Sequence, residues 1–262
     1  MKALKTILTL NLMFLILPAM AETPEDRGLA IAREMEKRND GFGDSRVDLR
    51  MVLQNRHGQS SERALRIRTL EVKDDGDKNL TICDTPKDIK GTAFLTYSHK
   101  KDDDDQWLFL PALKRVKRIS SRQKSGSFMG SEFAYEDFSS PELEKYTYKW
   151  LRDEAWAGSA CHVIEKYPID QRYSGYKRQV VWVDTKEFRL QKAVFYDRKG
   201  ALLKTLMAND YRKYQDRFWR AHEMNMVNHQ TGKSTTLTFT NYRFLTGLND
   251  LDFSKNSLKR IR

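Results

Sequence analysis

The fold is decided by a stretch that reads VDLRMVL at residues 47–53. Apolar Val47, Leu49 and Met51 alternate with charged residues, so successive side chains point to opposite faces of an extended chain. The same alternation returns at residues 65–68, after a turn-forming segment. This two-residue period predicts strands of which one face is buried.

Outward from this stretch, the two-residue period continues through most of the chain. Residues 24–38 are the exception, because they place Leu29, Ile31 and Met35 on a helical stripe that ends at an Asn-Asp-Gly stop. About ten strands are predicted in one large, curved antiparallel sheet, an α+β fold that is mainly β. Further strand candidates are residues 92–97, 106–110, 115–119, 146–151, 162–167, 178–184, 189–196, 202–207, 221–228 and 234–242.

The first 21 residues have the organisation of a secretory signal. Lys2 and Lys5 precede an apolar run at residues 7–17, and small residues follow at 19–21. The run is shorter than the roughly 20 residues needed to span a bilayer, which argues against a membrane anchor. We therefore predict a cleaved signal peptide at 1–21 and a single exported domain at 22–262.

Composition excludes several classes of protein. The chain has a net charge of +11, 39% hydrophobic residues, no linker-like segment and only two cysteines. The sequence also has no G-x-y period and no sustained heptad, so collagen-like, coiled-coil and disulfide-rich scaffold classes are excluded. In an oxidising compartment, Cys83 and Cys161 either pair across a long loop or lie apart as two buried thiols, and the sequence leaves both possibilities open.

Enzyme motifs are poorly matched. His222 and His229 lack the four-residue spacing that lets two imidazoles share one zinc on a helix. Residues 126–130 fit neither a nucleophile elbow nor a phosphate-binding loop, and residues 75–86 lack the glycine and the terminal acid of a calcium loop. We predict no catalytic residue, no metal and no cofactor.

Several longer motifs carry a family resemblance: PKDIKGT at 86–92, QWLFLPALKRVKRI at 106–119, SFMGSEF at 127–133 followed by YEDF at 135–138, WVD at 182–184 and GALLK at 200–204. In this order they resemble the outer-membrane lipoprotein-sorting (LolA-like) family of periplasmic proteins, in particular a subfamily associated with RND-type exporters. The resemblance covers nearly the whole of residues 22–262. It implies an unclosed antiparallel β-barrel of about eleven strands, with helices that form a lid over an apolar cavity.

If that cavity is present, inward residues of the strands and apolar residues of the long loop at 120–140 are candidates to contact a ligand. The competing interpretation is that these aromatic residues form plain core, or that the loop packs its aromatics under itself. The ligand-binding candidates are Phe94, Trp107, Phe109, Phe128, Met129, Trp150, Trp182, Phe195, Met224 and Met226, with Val180 and Phe239 as further strand positions.

A basic segment, KRVKR at 114–118, places Lys114 and Arg118 on one face of a strand and Arg115 and Lys117 on the other. It is either a solvated edge that prevents strand-to-strand association or a contact for anionic head groups or an acidic partner. Nucleic acid is excluded as a partner by export.

The sequence therefore predicts a periplasmic, non-catalytic, monomeric carrier of lipid or lipoprotein acyl chains, with peripheral membrane contact and an RND-type exporter as a partner. The alternative is an interaction module of an envelope transporter whose sheet is filled by its own side chains.

Overall fold

The computed structural model describes residues 22–140 and 142–259, so the predicted signal segment at 1–21 lies outside the described residues. The first element is the helix α1, Pro24–Asn39. Thr23 caps it by accepting a hydrogen bond from the backbone N–H of Asp26 at 3.0 Å. Among the described residues, no helix is both long enough and apolar enough to cross a membrane.

Within residues 22–140 and 142–259, thirteen strands follow α1 and form one antiparallel sheet, whereas the resemblance implies about eleven. In chain order they are β1 Asp44–Gln54, β2 Ser60–Leu70, β3 Lys78–Thr85, β4 Ala93–Tyr97, β5 Asp105–Leu110, β6 Arg115–Ile119, β7 Tyr146–Trp156, β8 Ser159–Pro168, β9 Tyr176–Asp184, β10 Leu190–Asp197, β11 Leu202–Tyr214, β12 Phe218–Asn228 and β13 Ser234–Phe244, followed by the short helix α2, Lys255–Leu258.

The sheet is open, and its two edges are neighbours in the chain. β1 pairs with both β2 and β13, so the first and last strands meet in the middle of the sheet, while β6 and β7 form its two edges. The segment that joins these edges contains residues 120–140, which we call the cover loop. The cover loop therefore crosses from one edge of the sheet to the other. Because β6 and β7 do not pair with each other, the sheet is the unclosed barrel that the resemblance implies.

Hydrogen bonds from two distant strands to the cover loop show that the sheet wraps around this loop. Gln106 on β5 donates to the carbonyl of Tyr135 at 3.2 Å, and Tyr176 at the start of β9 donates to Asp137 at 2.9 Å. β5 and β9 lie far apart in the strand order, yet both reach the same short segment. The sheet is therefore curved, with the cover loop and α1 on its concave face.

The concave face holds the main core. Ile31 and Ala32 of α1 and Phe128 and Phe133 of the cover loop pack there against one face of the strands. Two further clusters lie on the opposite, convex face. One covers β3–β5 beneath the C-terminal segment, through Leu248, Phe253 and Leu258, and the other covers β8–β10.

Cys83 and Cys161 are both buried and free. Cys83 belongs to the concave core, whereas Cys161 belongs to the convex cluster on β8–β10. Of the two possibilities left open by the sequence, the structure shows separate buried thiols.

Gly28 allows α1 to lie directly on β7. A Cβ atom at this position would be 2.7 Å from backbone atoms of Lys149 and Trp150. We expect Gly28→Ala to lower the free energy of unfolding by about 1–3 kcal/mol, because the helix would have to move away from the strand. Urea denaturation measures this, with a change at exposed Ala30, Ala30→Ser, as the control. A Gly28→Ala protein as stable as the parent would contradict this close contact.

Candidate functional site

A cavity of about 490 Å³ lies between the concave face of the sheet, α1 and the cover loop. This volume is within the roughly 300–1,000 Å³ that is typical of small-molecule sites. Its floor is apolar and comes from the inner face of β9–β12, through Val181, Leu190, Ala193, Phe195, Leu206, Met224 and Met226.

The floor follows directly from strand alternation. Val181 and Phe195 face the concave core, while their neighbours Val180 and Val194 belong to the convex cluster. Ala193 is the smallest floor residue, and it leaves open the space that a larger side chain would occupy. The two methionines on β12 supply flexible, polarizable surface that adapts to ligands of varied shape.

The cover loop forms one wall of the cavity and is fastened to the sheet. Glu132 accepts from Asn228 at 2.6 Å through its side chain, and its backbone N–H donates to Thr235 at 3.0 Å. Phe133, Glu136 and Asp137 face the cavity. The loop therefore covers the concave face and also packs most of its aromatics beneath itself, which combines the two interpretations left open by the sequence.

A buried ion pair lies where the cover loop meets the floor. The Lys204 ammonium donates to Asp137 at 3.0 Å and to the carbonyl of Glu132 at 2.8 Å. Both side chains of the pair are strongly buried. Tyr176 donates to the same carboxylate, so the pair is held by several hydrogen bonds, as a buried charge requires.

Glu136 is the neighbouring carboxyl, and its ionisation is opposed. Burial, and then the adjacent charge of Asp137, raise the pKa of Glu136 from 4.5 to about 7, although Ser174 and the N–H of Gly175 both donate to it at 2.8 Å. The Glu136 carboxyl in this wall of the cavity is therefore largely protonated below pH 7 and largely ionised above it.

The raised pKa of Glu136 predicts a pH effect on stability. A folded-state pKa above the ordinary value means that stability is fully present below about pH 4.5 and is lost as pH rises through about 7. We expect Glu136→Gln to raise the free energy of unfolding by roughly 2–3 kcal/mol at pH 8 relative to the parent, and by little at pH 5.

Chemical denaturation at both pH values measures this difference, with Glu223→Gln at an exposed position as the control. An equal effect of Glu136→Gln at pH 5 and pH 8 would show that ionisation of this carboxyl does not oppose folding.

The rim of the cavity is charged. It includes Asp102, Asp103 and Lys124, and Lys145 forms an ion pair there with Asp104. Nearby, Glu36, Glu142 and Glu144 bring carboxylate oxygens within 4.8 Å of one another and could hold a cation. Glu142 is buried and Glu144 is exposed, and no further observation points to a cation there, so we assign none.

Three of the predicted ligand-binding residues line this cavity: Phe195, Met224 and Met226. Phe94 and Phe128 pack against each other in the concave core at 5.4 Å between ring centroids, and Met129 packs against that core. None of these last three is among the cavity's lining residues.

The other predicted aromatics lie elsewhere. Trp107 and Phe109 pack on the convex face with the C-terminal segment, and Trp182 packs with Val180 in the convex cluster on β8–β10. Trp150 lies under α1, with the Arg27 guanidinium 3.9 Å from its ring centroid. Phe239 packs in the concave core outside the cavity lining.

Arg115, Lys117 and Arg118 lie on the edge strand β6. Lys114 precedes this strand in a left-handed conformation with φ of 48°, so the prediction that it shares a strand face with Arg118 is wrong. Lys114, Arg115, Lys117 and Arg118 are all exposed, and Arg118 donates to Asp105 at 2.6 Å. Leu113, 62% exposed, precedes them. This placement fits both of the predicted roles, the solvated edge and the contact for an acidic surface.

Among the polar residues that face the cavity and that sequence reasoning missed are Tyr146, Lys166 and Gln179. Lys166 and Gln179 are paired across β8 and β9, and each lies in the inward phase of its strand. The available signal in the sequence was the two-residue spacing that places Lys166 on the same strand face as apolar Ile164.

Comparisons with known proteins agree with this architecture. The sequence profile of a family described as "-like: Uncharacterized protein" matches residues 75–260. No curated protein matches the chain. A solved structure from Vibrio parahaemolyticus, described as an outer membrane lipoprotein-sorting protein domain, is 57% identical with a TM-score of 0.88, and the match covers 90% of this chain and 100% of that chain.

Two further solved structures share the fold. A DUF1329 family protein from Desulfovibrio piger is 29% identical with a TM-score of 0.85, over 90% of this chain and 99% of that chain. A LolA superfamily protein from Nitrosomonas europaea is 21% identical with a TM-score of 0.71, over 88% and 98%. The chain therefore belongs to the outer membrane lipoprotein-sorting family and has the LolA-like fold.

Proposed function

We propose that this protein is a periplasmic carrier that holds a lipid or a lipoprotein acyl chain in the cavity between the sheet and the cover loop. The observation that carries this proposal is the apolar floor on β9–β12 under a cavity of about 490 Å³. Support also comes from membership of the lipoprotein-sorting family and from the signal-like pattern at residues 1–21.

An apolar cavity is what transport of an acyl chain through water requires. Each methylene group removed from water contributes roughly 0.8 kcal/mol, so a long chain is held strongly only where most of it is covered. The floor, α1 and the cover loop together line such a space, and no chemical step is needed. The carrier that we propose is therefore non-catalytic.

The other half of the concave face limits the size of the ligand. Near β4 the space is filled by Phe94, Phe128, Tyr135 and Phe138, with the Phe128 and Phe138 ring centroids 4.2 Å apart. This self-filled half favours the alternative, an interaction module without a ligand. Because the cavity persists beside it, we propose one aliphatic chain as cargo rather than several.

Binding of an apolar fluorescent probe to the delipidated protein tests the proposed function. We expect saturable binding to one site in the parent, and the same affinity in Trp107→Ala and Trp182→Ala, since both tryptophans pack on the convex face. Absence of saturable binding in a folded parent protein would favour the interaction module.

The exposed basic edge predicts salt-dependent docking. We expect reversal of two charges, Lys117→Glu with Arg115→Glu, to weaken association with anionic vesicles at low salt only, because exposed charges act through a field that is screened within about 8 Å at physiological ionic strength. Vesicle flotation across a salt series measures this.

The matched control for total charge is a double charge reversal, Lys213→Glu with Lys233→Glu. Both lysines are exposed and lie away from β6. If both double variants lose association equally, net charge rather than this edge is responsible. If neither does, the segment is a protected edge strand. An RND-type exporter stays a prediction for the acidic partner. Its test is co-purification of such an exporter with the parent protein but not with the variant that carries Arg115→Glu and Lys117→Glu.

A further inference from the structure

Three polar side chains line the cavity without a hydrogen-bond or ion-pair partner among the described residues. Lys166 on β8 lies directly opposite Gln179 on β9 in the strand register, and Tyr146 lies at the start of β7. All three face the cavity. Within residues 22–140 and 142–259, no hydrogen bond or ion pair is made by the Lys166 ammonium, the Gln179 amide or the Tyr146 hydroxyl.

Lys166 is held in place by its surroundings rather than by a counter-ion. Its Nζ lies 4.3 Å from the centroid of the Tyr146 ring. Burial lowers the pKa of Lys166 to about 8, so the amine is still mostly charged at neutral pH. A charge in such a place is costly unless something pairs with it.

The nearby carboxyl groups are already occupied. Asp137 accepts from Lys204 and Tyr176, and Glu136 accepts from Ser174 and Gly175. Neither lies within 4.0 Å of the Lys166 ammonium. The ammonium and the Gln179 amide both donate hydrogen bonds, and the Tyr146 hydroxyl can donate as well. Together they form a group of donors that lines the cavity.

The position of Lys166 along β8 lies between the apolar floor and the rim. Ile164, two residues before Lys166, is 2% exposed in the concave core, whereas Ile169, three residues after it, is 63% exposed. A ligand whose tail lies on the floor therefore brings its other end to Lys166.

We propose that the cavity takes an amphiphile with one aliphatic chain and a carboxylate head group, and that Lys166, Gln179 and Tyr146 hold that carboxylate. This inference rests on the proposed carrier function and names the class of its ligand. A single ammonium matches a monoanion, and the nearby Glu136 and Asp137 disfavour a head group with two negative charges.

The test compares palmitate with hexadecanol, which has a chain of the same length without the charge, by isothermal titration calorimetry on delipidated protein. Lys166→Met keeps the aliphatic stem and removes the charge, and Lys177→Met, at an exposed position on β9, is the matched control. We expect Lys166→Met to weaken palmitate binding about tenfold or more and to leave hexadecanol binding unchanged, while Lys177→Met changes neither.

Gln179→Leu is a second variant that removes an amide without touching the charge, and we expect a smaller, palmitate-selective loss. Parent protein that binds both ligands with equal affinity, or an equal loss of both in Lys166→Met, overturns the carboxylate site and leaves the carrier function standing. Parent protein that is folded and binds neither ligand overturns the proposed function itself. The two failures are therefore distinguishable.

Discussion

Phe128→Ala is expected to lower the free energy of unfolding by about 3–5 kcal/mol, the range typical of a buried phenylalanine truncated in a core. Phe128 is fully buried and contacts the rings of Phe94, Tyr135 and Phe138, with centroid distances of 5.4, 5.7 and 4.2 Å. It therefore anchors the cover loop to the sheet, and its loss also leaves a cavity beneath the loop.

Urea denaturation at neutral pH measures this change. Leu113→Ala is the control, because Leu113 is exposed and its truncation is expected to change stability by less than about 0.5 kcal/mol. If Phe128→Ala were as mild as the control, the cover loop would not be fastened through its aromatic residues, and the wall of the cavity would need another anchor.

Ala193→Trp is expected to abolish binding of an apolar probe or of palmitate, with at least a hundredfold loss of affinity. Ala193 faces the cavity from the middle of the floor, so a tryptophan there occupies the space that the ligand needs. Overpacking costs about 1–3 kcal/mol of stability, which leaves the protein folded if the side chain extends into the cavity.

Ala155→Trp, at an exposed position on β7, is the matched control for adding an indole. Met224→Trp on the floor and Met207→Trp on an exposed position of β11 provide a second pair, in case Ala193→Trp does not fold. Undiminished binding by both floor variants, once each is shown to be folded, would mean that the ligand lies elsewhere.

Strand alternation predicted most of the fold because most strands have one buried face. β3 was missed because it is covered on both faces. Cys83 belongs to the concave core, whereas Leu80 and Ile82 pack under the C-terminal segment, so the run from Leu80 to Cys83 is continuously buried and has no two-residue period. β11 was predicted only to residue 207 because its second half is polar and exposed, although it continues to Tyr214.

The candidate site was predicted in part. Alternation separates the two faces of a strand but does not say which face is concave, so Trp107 and Trp182 were as credible as Phe195. Only the packing of the C-terminal segment and of the convex cluster on β8–β10 settles where these tryptophans lie. Lys166 and Gln179 were overlooked because a polar residue on a strand is ordinarily taken as solvent-facing.

Native mass spectrometry of the protein purified from the periplasm tests the central claim most directly. The carrier function predicts the mass of the chain plus one bound amphiphile, lost on organic extraction and absent from the Ala193→Trp variant. A parent protein that carries only its polypeptide mass, and that also takes up no palmitate after extraction, would contradict the account.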